Sequence, residues 1–151
     1  MPAITFPGVG HIVIADRVRN ELQTSGLTGP VFVPVVKARI VKLDWRSWRL
    51  DSAEPPEYPD EGEPENYILE RPHDPDTGTA LGDVWEVQLE PHAETVRVDG
   101  RPLLRAETWD GTDLFHPAGT RILAASEQAA EWLAARYPEW VHIAELETAQ
   151  G

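Results

Sequence analysis

The segment HIVIADRVRNELQTSGLTGPVFVPVV, residues 11–36, decides the fold of this chain. It opens on the apolar run IVIA, which is typical of a short buried strand. Asp16 follows, and we expect it to cap a helix because its carboxylate can accept hydrogen bonds from the free N–H groups of the first turn. Val18 and Leu22 lie at helical spacing, and Gly26 is the residue type that ends helices in the left-handed conformation. Since the apolar run VFVPVV comes next, the segment predicts a strand–helix–strand unit.

A second segment repeats this pattern near the end of the sequence. Residues 121–143 align with residues 11–33 at a constant offset and without a gap. Ser126 is the expected cap of the second helix, and the run WVHIAEL at 140–146 is the expected last strand. The strands of such units run parallel, because a crossover through a helix is right-handed almost without exception. The two predicted units, which should superpose, span about residues 11–36 and 120–146.

Further strands are expected between the two units. A long strand is predicted over Val31–Leu43 and an alternating strand over Asp83–Glu90, and their basic and acidic outer faces favour pairing. Asp99-Gly100 is typical of a type I′ turn, which predicts a hairpin of residues 95–98 with 101–104. The sequence therefore predicts an α+β fold with a mixed sheet, two strand–helix–strand units and a central antiparallel portion.

The length of 151 residues fits one domain, which we expect to span residues 1–151. Within it, residues 51–82 are expected to form an acidic, proline-rich loop. Residues 51–66 alone hold seven acidic residues, four prolines and no basic residue. Such a composition cannot bury enough apolar surface to pack a core, so a solvated loop is the expected structure.

The composition excludes several classes of protein. The chain has no cysteine, which rules out disulfides, thiolate zinc sites and cysteine nucleophiles. The formal net charge of −13 disfavours binding to the phosphates of nucleic acids and favours a basic partner. The sequence has neither an apolar run of the roughly 20 residues that a membrane span needs nor the pattern of a secretory signal. We therefore expect a cytoplasmic protein with no membrane and no nucleic-acid partner.

Two groups of residues contain side chains of the types used in metal binding and acid–base chemistry. Asp74 and Asp76 have the spacing of a calcium loop, but Gly78 and Trp85 stand where an EF-hand needs further oxygen ligands. A solvent-exposed turn is the expected structure there, with no metal and no cofactor. His116, close to Asp113 in the sequence, could act as a base, although lone histidines in loops are mostly structural or exposed. The sequence contains no nucleotide-binding glycine motif and no nucleophile elbow.

An alternative function therefore remains open on the sequence alone. In this alternative, a small-ligand-binding or enzymatic domain would use a pocket of about 300 Å³ or more, lined by tryptophan with His92 or His116. A regulatory scaffold is a further alternative.

The six tryptophans are numerous for a chain of this length. Trp85 and Trp132 lie at core-facing positions of a predicted strand and a predicted helix. Trp45 and Trp48 alternate with arginines in KLDWRSWRL, a pattern that suits stacking on bases, protein interfaces or simple packing. The acidic net charge favours a protein partner over a nucleic acid.

Three short motifs give the sequence a family resemblance. Gly26, Leu27 and Gly29 form a Gly-Leu-x-Gly turn after the first helix, residues 88–91 read QLEP, and residues 113–115 read DLF. In this order, the motifs resemble those of the double-CXXCG immunity proteins of myxobacterial Sit toxin-exchange systems and related polymorphic-toxin immunity domains. The resemblance implies a non-enzymatic cytoplasmic antitoxin that binds one cognate toxin. Because this chain lacks both CXXCG motifs, it resembles a cysteine-free relative, and the zinc ligands of the family are not carried over.

The charge of the chain suggests which residues would bind such a toxin. A nuclease toxin presents a positive cleft for phosphates, and an acidic inhibitor can occupy that cleft. We expect the acidic segment to contribute charges and its neighbours to contribute aromatic anchors, although the segment could instead be a solvated insertion. The predicted partner-binding residues are Glu54, Glu57, Tyr58, Asp60, Glu61, Glu63, Glu65, Tyr67, Trp45 and Trp48.

Overall fold

The computed structural model describes residues 2–42 and 71–149. The chain divides into two compact units, one made of residues 1–35 and 83–151 and the other of residues 36–82. The first unit combines strands with two ten-residue helices, which confirms the α+β class. The expectation of a single domain over residues 1–151 stays a prediction.

The secondary structure of the described residues is as follows, in chain order. The elements are β1 Ile4–Gly8, β2 His11–Ala15, α1 Asp16–Ser25, β3 Val31–Pro34, α2 Pro75–Ala80, β4 Val84–Gln88, β5 Pro91–Ala93, β6 Thr95–Val98, β7 Arg101–Leu104, β8 Leu114–Pro117, β9 Ala124–Ala125 and α3 Glu127–Arg136. A short 3₁₀ turn covers Ala106–Thr108.

The largest sheet has four strands in the order β1-β2-β4-β3, and each neighbouring pair is antiparallel. Because β2 and β3 are both antiparallel to β4, they run parallel to each other with β4 between them. The helix α1 makes the crossover from β2 to β3. The first predicted strand–helix–strand unit is therefore confirmed, as is the pairing of the strand at Val31 with the strand at Val84.

The strand predicted over Val31–Leu43 is much shorter in the structure. It ends at Pro34, residues 35–42 form no strand, and Leu43 lies outside the described residues. The ammonium of Lys37 makes its hydrogen bonds within the second unit. It donates hydrogen bonds to the carbonyls of Gly78 at 2.7 Å and Gly82 at 2.8 Å, within the second unit. Lys37 therefore lies outside any strand, and the predicted basic strand face is not formed there.

A second sheet and a hairpin complete the first unit. The sheet has the order β5-β8-β9, with β5 parallel and β9 antiparallel to β8, so the predicted mixed sheet is confirmed. The hairpin of β6 and β7 turns at Asp99 and Gly100, whose φ values of 50° and 81° are both positive. Two positive φ values are the requirement of a type I′ turn, which confirms that prediction.

The second predicted strand–helix–strand unit is wrong in its last strand. β9 has only two residues, and after α3 the residues 141–147 belong to no strand. Val141 packs against the main core and Leu146 against a second apolar cluster, while residues 142–145 between them are exposed. The segment is thus held at its two ends and not by a strand ladder, so the two units do not superpose as predicted.

The helix ends agree with the sequence in two of three predictions. Gly26 has φ 80° at the end of α1, and the Ser126 hydroxyl accepts a hydrogen bond from the N–H of Ala129 at the start of α3. Asp16 does not cap α1, because the helix begins at Asp16 itself. Its carboxylate instead accepts hydrogen bonds from Asn20 at 3.0 Å and from the indole of Trp85 at 2.9 Å.

The main core lies where the four-stranded sheet meets the two longer helices. Its buried residues are Ala3, Ile4, Ile12, Ile14, Val18, Leu22, Val87, Leu114, Ala129, Leu133 and Tyr137. Trp85 and Trp132, predicted to face the core, are only partly buried at its edge. Each indole carries an arginine guanidinium over its ring, Arg19 at 3.9 Å from the ring centre of Trp85 and Arg136 at 4.6 Å from that of Trp132.

Asp113 joins three parts of the first unit. Its carboxylate accepts hydrogen bonds from the N–H and the hydroxyl of Thr28, both at 2.9 Å, and from the hydroxyl of Ser126 at 2.7 Å. These bonds hold the pKa of Asp113 below its usual value, the Ser126 hydroxyl having the largest effect. The loop after α1, the start of β8 and the first turn of α3 are therefore tied together.

Gly29 lies against the same junction. Its φ is 108°, and an added Cβ atom would overlap the carbonyl oxygen of Leu114 and lie 2.8 Å from Cγ2 of Thr112. Only glycine allows the loop to approach β8 so closely.

We predict that Gly29→Ala destabilises the protein by at least about 2 kcal/mol more than Gly111→Ala, because a backbone carbonyl must shift to make room. Gly111 is the matched control, since its φ of 91° is also positive but no atom lies within 4 Å of an added Cβ atom. The control is expected to cost about 1–2 kcal/mol for backbone strain alone. Urea unfolding measures both values, and equal costs would show that the loop is not tightly packed on β8.

We also predict that Asp113→Asn lowers the free energy of unfolding at pH 7 by about 1–2 kcal/mol. A carboxylate with a depressed pKa in the folded state stabilises the protein above its unfolded pKa, and this stabilisation is lost as the pH falls through the folded pKa. The loss of stability below the ordinary pKa of 3.8 should therefore be shallower in the variant than in the native protein. Asp99→Asn in the hairpin turn is the control, and an unchanged acid dependence in Asp113→Asn would contradict the prediction.

Candidate functional site

The residues that the sequence predicts to bind a partner all lie between positions 43 and 70, outside the described residues. They are Glu54, Glu57, Tyr58, Asp60, Glu61, Glu63, Glu65, Tyr67, Trp45 and Trp48. Their role stays a prediction.

The histidines considered for catalysis make local contacts. Nδ1 of His92 lies 2.8 Å from a carboxylate oxygen of Asp110, and Nδ1 of His116 lies 2.6 Å from the carbonyl oxygen of Ile122. Hydrogen bonds from the side chain and backbone of Thr112, and then from His92, lower the pKa of Asp110 to about 2. Asp113, proposed as the neighbour of His116, is bonded instead to the loop after α1 and to α3.

The segment with calcium-loop spacing is helical. Asp74 caps α2, where its carboxylate accepts a hydrogen bond from the N–H of Thr77 at 2.7 Å and Pro75 is the first helical residue. The N–H of Thr77 also holds the pKa of Asp74 below its usual value. The expected exposed turn is therefore wrong, as is a loop over the whole of residues 51–82. Within residues 2–42 and 71–149, no group of three or more His, Asp or Glu side chains is placed to hold a metal ion.

The first unit has a groove beside α3, which we call the α3 groove. Its volume is about 820 Å³. The helix forms one wall with Ala130 and Leu133, residues 122–125 around β9 form a second, and residues 140–146 form a third. The lining residues are Phe6, Ile122, Leu123, Ala124, Ala125, Glu127, Ala130, Leu133, Trp140, Val141, His142, Ile143, Ala144, Glu145 and Leu146.

Large apolar side chains of the α3 groove are exposed to solvent. Phe6 is 54% exposed, Ile143 45%, Ile122 41% and Trp140 38%. An isolated exposed apolar residue needs no explanation, but a contiguous group in a concave surface is typical of an interaction site. The group includes two aromatic residues, Phe6 and Trp140. Aromatic residues are enriched in protein interfaces and contribute much of the binding energy there.

The charge of the α3 groove is acidic. Two of its lining residues are glutamates, Glu127 and Glu145, and none of the described lining residues is lysine or arginine. Residues 122–149 as a whole contain five glutamates and one arginine. The lining is apolar apart from His142 and the two exposed glutamates, which we call its acidic rim. It therefore favours a ligand that combines apolar and basic groups.

The fold explains why this surface exists. Val141 is anchored in the main core, and the N–H of Leu104 in β7 bonds to the carbonyl of Glu147 at 3.1 Å. The chain between these anchors spans the gap beside β9 without pairing with it. Sequence reasoning misses the groove because the run WVHIAEL predicts a strand, whereas residues 141–147 belong to no strand.

The pocket expected for an enzyme or ligand-binding domain is present only in part. The α3 groove is larger than the 300 Å³ expected, and it contains Trp140 and His142. Neither His92 nor His116 lines it, so the histidines named from the sequence are not those at the groove.

Comparisons with known proteins add no relative to this description. No family model, no curated protein and no solved structure matches the chain. Among the described residues, no helix has both the length and the apolar character needed to cross a membrane.

We predict that the exposed side chains of the α3 groove contribute little to folding. Ile143→Ser should change the free energy of unfolding by no more than about 0.5 kcal/mol, as is usual for exposed positions. Leu133→Ala, in the buried wall of the same groove, should cost about 2–5 kcal/mol because it leaves a cavity. Thermal and urea unfolding of both variants tests this difference, and a cost above about 2 kcal/mol for Ile143→Ser would place the 142–145 segment in the folding core.

Proposed function

We propose that the protein is a cytoplasmic immunity protein that binds a cognate basic toxin domain, such as a nuclease, and neutralises it. The proposal is one of binding and not of catalysis. It agrees with the family resemblance of the Gly-Leu-x-Gly, QLEP and DLF motifs, and it requires no metal or cofactor.

One observation carries the proposal: the α3 groove combines a mainly apolar lining with an acidic rim. Exposed Phe6, Trp140 and Ile143 can bury apolar area against a partner, which sets the lifetime of a complex. Glu127 and Glu145 beside them can pair with lysine or arginine of that partner.

The charge of the whole chain supports the same partner. A net charge of −13 attracts a basic domain over distances of about a Debye length, roughly 10 Å at 0.1 M salt, and raises the rate of association. A nuclease must carry a positive cleft to hold phosphates, so it is a partner of the required charge. Seven of the 26 acidic residues behind this net charge lie in the acidic segment 51–66.

A small-ligand-binding protein is the second candidate, favoured by the volume of the groove. Ligand pockets commonly have about 300–1,000 Å³ and a mainly apolar lining with a few polar groups. The α3 groove meets this description with about 820 Å³ and with His142, Glu127 and Glu145 as polar groups. A toxin would compete with such a ligand only if both bind the α3 groove. Variants of the groove residues test whether the toxin binds there.

We predict that co-expression with the toxin domain encoded by the neighbouring gene restores growth and that the two proteins co-purify. Neutralising the rim with Glu127→Gln and Glu145→Gln should lower the association rate by about three- to tenfold and weaken its dependence on salt, because rim charges act mainly on association. Stopped-flow mixing of the purified proteins at two salt concentrations gives both quantities.

The matched control is Glu131→Gln, on the same helix but outside the groove lining, which should leave the association rate within about twofold. Failure to rescue growth and to co-purify would contradict the immunity function. Unchanged rescue after residues 54–65 are replaced by a neutral linker would contradict only the role predicted for the acidic segment.

A further inference from the structure

β9 has a free edge, and its residues line the α3 groove. In the sheet β5-β8-β9, the strand β9 is terminal and pairs only with β8 among the described strands. Ala124 and Ala125 of β9 both line the groove. An unpaired strand edge presents a row of N–H and C=O groups that can bind another extended chain.

Backbone N–H and C=O groups point to alternate sides along a strand, so the hydrogen bonds to β8 identify which residues of β9 have groups at the free edge. The N–H of Ser126 bonds to the carbonyl of Asp113, and the carbonyl of Ile122 accepts from the ring of His116, so the even-numbered residues direct their backbone groups towards β8. Neighbouring residues of a strand direct these groups to opposite sides. Leu123 and Ala125, which both line the α3 groove, therefore direct their N–H and C=O groups away from β8.

The wall formed by residues 140–146 lacks strand pairing in the described part of the chain. Residues 142–145 belong to no strand, and their side chains are exposed on both sides of the chain. No backbone hydrogen bond from residues 142–146 to another described residue is present. Val141 and Leu146 hold this wall at its two ends against separate apolar clusters.

We propose that the α3 groove binds an extended segment of the partner, which adds a strand to the free edge of β9. The segment pairs with the backbone of Leu123 and Ala125. Its apolar side chains lie against Phe6, Trp140 and Leu133, and its lysine or arginine side chains pair with Glu127 and Glu145. This inference rests on the proposed function, since it names the part of a basic partner that the protein recognises.

The dimensions of the groove fit such a segment. A partner strand rises about 3.3 Å per residue, so a segment that lies along residues 122–125 and 140–146 would have about four to seven residues. Backbone hydrogen bonds supply affinity in this mode of recognition, and alternate side chains supply specificity.

Charge decides between the candidate occupants. A second copy of this chain carries the same net charge of −13 and is repelled. The acidic segment 51–66 of the chain itself holds seven carboxylates and no basic residue, so the glutamates of the groove disfavour it as well. A basic partner is the occupant that the rim attracts.

The experiment uses the full-length protein and a synthetic heptapeptide, acetyl-Lys-Val-Lys-Val-Lys-Val-Lys-amide, with calorimetric titration as the readout. Saturable binding is expected, and the peptide with glutamate in place of lysine should bind at least about tenfold more weakly. Two N-methylated versions, one methylated at the valines and one at the internal lysines, block hydrogen bonding along opposite edges of the peptide. One of them should lose at least about tenfold in affinity while the other stays within about threefold, because only one edge pairs with β9.

Variants of the protein locate the binding. Ala130→Leu narrows the groove and should weaken peptide binding at least about tenfold, whereas Ala135→Leu, on the same helix but outside the lining, should not. Circular dichroism and thermal unfolding of both variants show whether they are folded. Equal affinities of the two N-methylated peptides with the native protein overturn the strand-addition proposal, and this test does not depend on any variant.

Three further results distinguish the alternatives. Formation of a toxin complex without any peptide binding would overturn strand addition and leave the immunity function intact. Peptide binding without toxin neutralisation would support strand addition and contradict the immunity function. Dimerisation of the protein that Ala130→Leu abolishes would show that a second copy occupies the groove. A peptide affinity that rises more than about tenfold when a neutral linker replaces residues 54–65 would show that the acidic segment occupies it. Either result would overturn the proposal.

Discussion

The hydrogen bonds of Asp113 are the interaction on which the arrangement of the first unit depends. One carboxylate binds Thr28 in the loop after α1 and Ser126 at the first turn of α3, and Gly29 allows that loop to touch β8. The two motifs Gly-Leu-x-Gly and DLF, far apart in the sequence, meet at this contact. The geometry of the junction explains both residue types. The loop needs a glycine at position 29 to approach β8, and the three hydrogen bonds need a carboxylate at position 113 to accept them.

The same junction positions the surface proposed for binding. Asp113 fixes Ser126, which caps α3, and the N–H of Ser126 bonds back to the carbonyl of Asp113 and so sets the direction of β9. The wall formed by α3 and the free edge of β9 are therefore placed by one cluster of contacts. A surface built on a helix and a strand holds its shape before a partner arrives, which lowers the entropy cost of binding.

The sequence predicts the elements whose signals are local and misses those that depend on distant partners. The crossover through α1, the turn at Asp99-Gly100 and the cap at Ser126 are correct because each depends on a few neighbouring residues. The strand at 140–146 is wrong because its mainly apolar residues satisfy the local pattern, while no described strand pairs with residues 141–147. The helix cap predicted at Asp16 is wrong, and its carboxylate instead accepts a hydrogen bond from the indole of Trp85, 69 positions away in the sequence. The groove could not be predicted, since it exists only where that last strand fails to pair.

The position of β4 in the middle of the four-stranded sheet has a consequence for how the chain folds during synthesis. β2 and β3 have no contact as a strand pair, and each is joined to the sheet through β4, which begins only at Val84. While the ribosome makes the first half of the chain, β1 and β2 can form a hairpin, but β3 must wait as an unpaired apolar strand. The pairing of distant segments is slow, and exposed strands are prone to aggregation until it is complete. The nascent chain therefore passes through a vulnerable interval that ends when the central strand leaves the exit tunnel.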